Sequence, residues 1–155
     1  MEDKLTFKQV YDGVTRTIKK SYTQKNIYRG NIAQNLENGS FNVIPISATD
    51  IAELGDRIKR TVTFDCMYYA AEDDYAELLE IADNLPLVLS MIEIASNHVL
   101  HGTFNTPTAE IEDGVVHCIV SYTFFGFVHE VLPEGEESAT DLMYYLEQKF
   151  TEVKQ

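Results

Sequence analysis

The segment from Ala109 to Phe127 constrains the fold of this chain more than any other. A short strand, Ala109–Glu112, is followed by Asp113-Gly114 and then by a long apolar run, Val115–Phe127. Asp-Gly between two alternating runs predicts a β-hairpin with a type I′ turn. Both faces of the second strand are rather apolar, and such a strand is buried on both faces. The covering partner is either the rest of the domain or another subunit.

Two segments have the apolar spacing of amphipathic helices. The first, Thr6–Tyr22, begins with Thr6 and Gln9 in the arrangement of a capping box. The second begins near Tyr75, and its apolar stripe continues to Leu85. Pro86 then either kinks this helix or begins a further helix that runs to about residue 95, which we predict to be largely buried.

Further strands are predicted at Asn26–Arg29, Phe41–Ile46, Thr61–Tyr69 and His98–Phe104. The strand that contains Pro45 should end at a sheet edge or at a bulge, because proline cannot donate to a strand ladder. Ser47–Arg60 is polar and mixed in charge, and we interpret it as a long connection between two antiparallel strands. Connections of this length are often interaction elements.

The order of elements predicts an α+β fold, with an antiparallel or mixed β-sheet and helices packed on one face. Residues 1–132 form one domain in this interpretation, and residues 133–155 form a C-terminal helical extension. Leu142, Leu146 and Phe150 lie at i, i+4 and i+8 of that last helix.

The charge of the chain argues against several classes of partner. The formal net charge is −13, with 12 Lys and Arg against 25 Asp and Glu. A nucleic-acid-binding protein needs a basic surface for the phosphates, so we expect no direct binding to nucleic acid or to an anionic membrane. The acidity serves either solubility or complementarity to a basic partner surface.

The sequence contains no arrangement of residues that predicts catalysis, a cofactor or a metal ion. It has no glycine-rich phosphate loop, nucleophile elbow or paired-histidine zinc motif. His98 and His101 are three residues apart, but on a strand they point to opposite faces. Cys66 and Cys118 lie in strand-like runs and are expected to be reduced core residues, which suits a reducing cytoplasm.

Three groups of residues are candidates for protein contacts. Arg57, Lys59 and Arg60 place positive charge in the Ser47–Arg60 segment of an acidic chain. Ile119 and Phe125 lie on the second apolar face of the long strand, and Leu142, Leu146 and Phe150 form the stripe of the last helix. The aromatic residues of Tyr122–Phe127 either pack in the core or fill a subunit interface, where Tyr and Phe are enriched.

Several segments resemble the tail terminator proteins of phages and prophages of Gram-positive bacteria. They are Leu5–Val14, Asn26–Tyr28, Arg60–Tyr69, and His101–Asn105 followed by Ala109–Tyr122, and the resemblance spans roughly residues 5 to 125. The family has a pattern like Arg-Gly-Thr-Asn before the hairpin. Here His101 replaces the arginine and Phe104 intervenes.

The resemblance implies a structural protein without enzymatic activity. Tail terminators form a ring, usually a homohexamer, on the finished tail tube, where they halt polymerisation of the tube and offer a surface for head joining. The implied partners are further copies of the chain, the tail tube protein, the head–tail connector and, in contractile tails, the sheath protein. The implied location is the host cytoplasm during assembly, and then the head-proximal end of the tail in the virion or tail-like particle.

Two other functions remain open from the sequence. A neck or head-completion connector protein would have a similar size and would contact the portal side instead of the tube. A small cytoplasmic ligand-binding domain would need a concave pocket with a few convergent polar groups.

Overall fold

The computed structural model describes residues 5–30, 37–71, 74–94, 98–104 and 107–127. The predicted last helix and the predicted domain boundary at residue 132 lie outside these ranges. Nine elements follow one another in the described residues, and their bounds are: α1 Phe7–Ser21, β1 Ile27–Arg29, β2 Ser40–Ala52, β3 Arg57–Tyr69, α2 Tyr75–Leu89, β4 Met91–Ile94, β5 His98–Phe104, β6 Glu110–Glu112 and β7 Val115–Phe127.

The strands form one mixed sheet in the order β1-β2-β3-β7-β5-β4, and β6 also pairs with β7. β1 runs parallel to β2, and every other pair described is antiparallel. Both helices contribute to one core on one face of the sheet. The predicted α+β fold is therefore confirmed.

The core forms because helical and strand periodicities bring apolar side chains to the same interface. Every second residue of β7 from Val116 to Tyr122 is fully buried, and so are the paired positions of β3. The helices add their own stripes, which are Val10, Val14 and Ile18 from α1, and Leu78, Ile81, Leu85 and Leu89 from α2.

Two local predictions are confirmed in atomic detail. The Thr6 hydroxyl accepts from the Gln9 N–H at 3.1 Å, while the Gln9 side chain accepts from the Thr6 N–H at 2.7 Å, so α1 begins with a capping box. In the hairpin turn Asp113 and Gly114 have φ values of 51° and 76°. Positive φ at both central residues is what a type I′ turn requires.

The prediction of a long loop at Ser47–Arg60 is wrong. β2 continues to Ala52, β3 begins at Arg57, and Ser47–Ala52 pairs in register with Ile58–Thr63. Only the turn at 53–56 joins them. The polar residues suggested a loop, but they are compatible with a strand because β2 is exposed on both faces from Ile46 onward. The register shift between Pro45 and Ser47 is the bulge that Pro45 predicted.

The prediction of a further helix after Pro86 is also wrong. α2 runs through Pro86 to Leu89, and β4 follows at once. Met91 and Glu93 are exposed while Ile92 and Ile94 are buried, which is the period of a strand. The predicted apolar stripe of α2 is only partly buried, because Tyr75 and Leu79 are exposed. Leu87, which the prediction placed in the further helix, is exposed as well.

A close approach explains the glycine in the His101–Phe104 segment. A Cβ at Gly102 would lie 2.7 Å from the Leu89 carbonyl oxygen and 2.9 Å from Val120 Cγ2. The Gly102 N–H donates to the Ser90 carbonyl at 2.8 Å, and the Tyr122 hydroxyl donates to the Leu89 carbonyl at 2.7 Å. The end of α2 is thus held directly against β5 and β7.

Candidate protein-interaction site

The far ends of β2, β3 and β7 form a projecting three-stranded unit, which we call the arm. It consists of Ile46–Ala52, Arg57–Thr61, Thr123–Phe127 and the turn at 53–56. Every residue of β2 from Ile46 onward is exposed, although the first four residues of the same strand are buried. In β2 the arm is therefore open on both faces, whereas Ile58 of β3 and Phe124 of β7 within the arm are buried.

The arm presents apolar side chains to solvent. Ile51, Lys59 and Phe125 are paired neighbours across the three strands and share the face opposite the helices. Ile51 is 56% exposed and Phe125 is 53% exposed, and Leu54 in the turn is 96% exposed. Such a cluster of exposed large apolar residues is characteristic of an interaction surface.

The cations of the arm are engaged within it to different degrees. Arg60 forms two hydrogen bonds with the Asp50 carboxylate, at 2.6 and 2.7 Å, which raises the pKa of the guanidinium. Arg57 lies 3.4 Å from a Glu53 oxygen, and its guanidinium carbon is 4.0 Å from the centre of the Phe125 ring. Arg60 thus holds the hairpin together, and Arg57 caps an exposed aromatic ring.

The face of the sheet opposite the helices continues from the arm towards Ile119, which is half-buried. Hydroxyl groups pair across β3 and β7 there, Thr61 with Thr123 at 3.0 Å and Thr63 with Ser121 at 2.8 Å. His117 Nδ1 lies 2.9 Å from an Asp65 carboxylate oxygen. Polar side chains thus pair with one another on this part of the face.

The described residues contain no group of three or more His, Cys, Asp or Glu side chains that could hold a metal ion. Cys66 and Cys118 are buried, and burial raises the pKa of both thiols, that of Cys118 to about 12. A thiol with so high a pKa is not a nucleophile near neutral pH. None of the described helices is long and apolar enough to cross a membrane.

The comparison that decides the family is a match to the family model described as phage tail terminator protein, over residues 9–137. The chain belongs to this family. It is therefore a phage tail protein of a structural family that associates with other tail components. The resemblance drawn from the sequence is confirmed.

Other comparisons add little. No curated protein matches the chain. One solved structure, of a protein known only by a sequence identifier, is similar over 79% of this chain and 94% of its own, with 9% sequence identity and a TM-score of 0.43. A similarity at that level carries no argument about the terminator.

The structure brings together four of the residues predicted as contacts. Arg57, Lys59, Arg60 and Phe125 all lie on the arm, and Ile119 lies on the same strand as Phe125, nearer to the core. Leu142, Leu146 and Phe150 lie outside the described residues. The role of all eight residues in protein contacts stays a prediction.

The sequence interpretation missed a second surface, which we call the basic groove. It is a shallow groove of about 600 Å³ between the outer side of α1 and the end of β1, lined by Asp12, Arg16, Lys19, Lys20 and Arg29 among others. The clustering of basic residues that indicates this groove is visible in the sequence. Residues 8–29 contain six Lys and Arg and one acidic residue, while no Lys or Arg occurs between Arg60 and Lys149.

Proposed function

We propose that this terminator closes into a ring on the end of the tail tube, halts tube polymerisation and provides the surface to which the head joins. The observation that carries the proposal is the match to the terminator family over residues 9–137. The arm supports the proposal as well, because it carries large apolar side chains that are exposed to solvent.

The arm supports contact with the tube or with a neighbouring copy. A residue such as Leu54, exposed at 96%, gains nothing from the fold of its own chain. Full burial of such a side chain at an interface contributes roughly 1.5–3 kcal/mol. Ile51 and Phe125 add to the same apolar surface, and Arg57 and Lys59 supply charge beside it.

A closed ring also explains how growth of the tail stops. In a ring each subunit uses one surface to bind the next copy and a different surface to receive the previous one. Once the ring has closed, both surfaces are occupied, and the ring presents to the head side a face unlike that of the tube. We propose a ring of six copies as the final state, with sheath contacts added in a contractile tail.

The direct test is electron microscopy of particles from a deletion strain, which lacks the gene for this protein. We expect tails that are longer than normal and carry no heads, and plasmid-borne wild-type protein should restore both properties. Tails of normal length that lack only the head would favour the neck-connector function. Tails of normal length with heads attached would reject both functions.

The arm is tested by complementing the deletion with Leu54→Asp and, separately, with Arg57→Glu. Both positions are exposed, so the variants should fold, and we expect at least a tenfold drop in the number of tails of normal length. Val99→Asp places the same charge at an exposed apolar position away from the arm and serves as the control. Normal tails with both arm variants would contradict a role for the arm.

A further inference from the structure

Positive and negative charge are separated on the surface of this subunit. α1 and the residues up to Arg29 carry six of the 12 Lys and Arg of a chain whose net charge is −13. α2 carries Glu77, Glu80 and Asp83 and no basic residue. The subunit therefore has a basic side and an acidic side within the same helical layer.

Two cations of the basic groove have no ion-pair partner among the residues that the structure describes. Arg29 is engaged, since it pairs with Asp12 at 2.7 Å and lies over the Tyr11 ring at 3.9 Å. Arg16 and Lys20 are exposed and form no ion pair with any residue that the structure describes. Their side chains flank a groove whose floor is the outer face of α1.

The exposed side of α2 has matching features, and we call it the acidic ridge. Tyr75, Leu79, Asp83 and Leu87 are spaced four residues apart and are all exposed, and Glu80 lies beside them. Leu87 is 72% exposed. A helix side that combines carboxylates with large apolar residues fits a groove bordered by cations and by the aliphatic stems of lysine and arginine.

We propose that the acidic ridge of one copy binds in the basic groove of the next copy. This inference rests on the proposed ring, and it names the surfaces that join neighbouring subunits. Because groove and ridge are different surfaces of one chain, the contact is head-to-tail and repeats around a closed ring. Arg16 and Lys20 face Glu80 and Asp83 across each interface, and the exposed residues of α2 pack against α1.

The net charge favours such an arrangement. Chains of charge −13 repel one another, and a contact between surfaces of opposite sign offsets that repulsion locally. The fold already contains one pair of this kind, because Lys25, which follows α1, lies 2.6 Å from Glu77 of α2 within the chain. The charges beyond that pair are the ones left for the next copy.

A duplex nucleic acid is the other class of partner that a basic groove could take. The carboxylate of Asp12 lines the groove, and the acidic α2 packs against the same helix. Phosphate binding depends on several uncompensated cations. The observations therefore favour the acidic ridge of a second copy.

The test uses complementary charge reversal in the deletion strain. The groove variant is Arg16→Glu with Lys20→Glu, and the ridge variant is Glu80→Lys with Asp83→Lys. Each alone is expected to give at least tenfold fewer tails of normal length, because every interface then joins like charges. Co-expression of the two variants should restore normal tails, since they can alternate around a ring with an even number of copies. One chain that carries all four changes should also restore them.

The control is Glu110→Lys with Glu112→Lys, which reverses two exposed carboxylates on β6 and should leave tail length unchanged. Thermal unfolding of each variant shows whether it is folded. If either variant is functional alone, the assignment of these surfaces is wrong. If both variants are folded but neither co-expression nor the fourfold change restores function, the assignment is equally wrong, and loss of duplex binding by the groove variant would then identify nucleic acid as the ligand.

A second measurement separates this inference from the proposed function. Purified Lys20→Cys and Asp83→Cys chains, mixed under mild oxidation, are expected to form a disulfide-linked dimer at least tenfold faster than either chain alone. If the deletion leaves tail length normal, the terminator function fails but this cross-link still tests the groove and ridge. If the cross-link does not form but the deletion strain makes overlong tails, the pairing of groove and ridge is wrong and the terminator function is retained.

Discussion

Strands β2, β3 and β7 pass through two different environments. In the packed half, Phe41, Val43, Phe64 and Val120 lie beneath the helices and are fully buried. In the arm, Ile51 of β2 and Phe125 of β7 are more than half exposed. The sheet is continuous across the boundary, so backbone pairing alone does not set the length of the strands. The exposed apolar residues of the arm are the observation behind the proposed contact with a partner.

The largest expected effect lies in the packed half. Phe64→Ala should lower the free energy of unfolding by about 3–5 kcal/mol, because a buried aromatic ring leaves a cavity. The Phe64 ring contacts those of Phe7, Tyr11 and Tyr122, with centroids 5.4, 5.6 and 6.4 Å away. Urea denaturation measures the loss. A cost below about 1 kcal/mol would show that this half of the sheet is not the core.

The next effect concerns the contact between α2 and the sheet. Gly102→Ala should cost about 1–3 kcal/mol, because its Cβ would overlap the Leu89 carbonyl and Val120. Gly126→Ala is a matched control on β7, where the nearest atom to the new Cβ is 3.9 Å away. Thermal unfolding of the two variants compares them. Equal stability would mean that α2 can move away from β5 without loss.

The two halves also differ in how far the sequence predicted them. The packed half follows from local rules, because Thr6 with Gln9 begins α1 and Asp113-Gly114 makes the hairpin turn. The arm was misread because its exposed strands carry the polar residues of a loop. Pairing of Ser47–Ala52 with Ile58–Thr63 is a tertiary property, and β2 shows no alternation of burial from Ile46 onward, because every residue there is exposed.

The candidate site was predictable only in part, for a related reason. Positive charge in the Arg57–Arg60 segment was visible in the sequence, but the partner of Arg60 was not, since the Asp50 pairing depends on the register of the hairpin. The basic groove needs α1 and Arg29 to lie together. The positive charge of the groove was predictable from the sequence, but its shape was not, because the shape depends on how the chain folds.

An ion pair at the border of the packed half should give a smaller, pH-dependent effect. Glu77 accepts from Lys25 and from the Tyr68 hydroxyl, both at 2.6 Å. The hydrogen bond from Lys25, and then that from Tyr68, lowers the pKa of Glu77 below its usual 4.5, and the hydrogen bond to Glu77 raises the pKa of Lys25 above 10.5. Glu77→Gln should therefore cost about 1 kcal/mol at neutral pH, a value reduced by solvent screening.

The sign of this pH dependence follows from the two pKa shifts. A lowered carboxyl pKa stabilises the fold above pH 4.5, and this contribution is lost as the pH falls through the pKa of the folded state. The raised pKa of Lys25 stabilises the fold below pH 10.5, and this contribution is lost as the pH rises through the folded value. The difference between wild type and Glu77→Gln should be flat from about pH 5 to 10 and shrink on both sides. A constant difference down to pH 2 would contradict the pairing.

The smallest expected effect lies on the arm and completes the comparison with Phe64. Phe125→Ala should cost the isolated chain only about 1 kcal/mol, since half of the ring is already in water and the contact with Arg57 is exposed. Urea denaturation of Phe125→Ala and of Phe64→Ala measures the loss in the free energy of unfolding for each variant, and the two losses can then be compared. The same substitution should impair complementation of the deletion strain far more than it impairs folding, because an interface would bury the whole ring. A loss of stability equal to that of Phe64→Ala would mean that the arm is covered by its own chain and would remove the reason to expect a partner there.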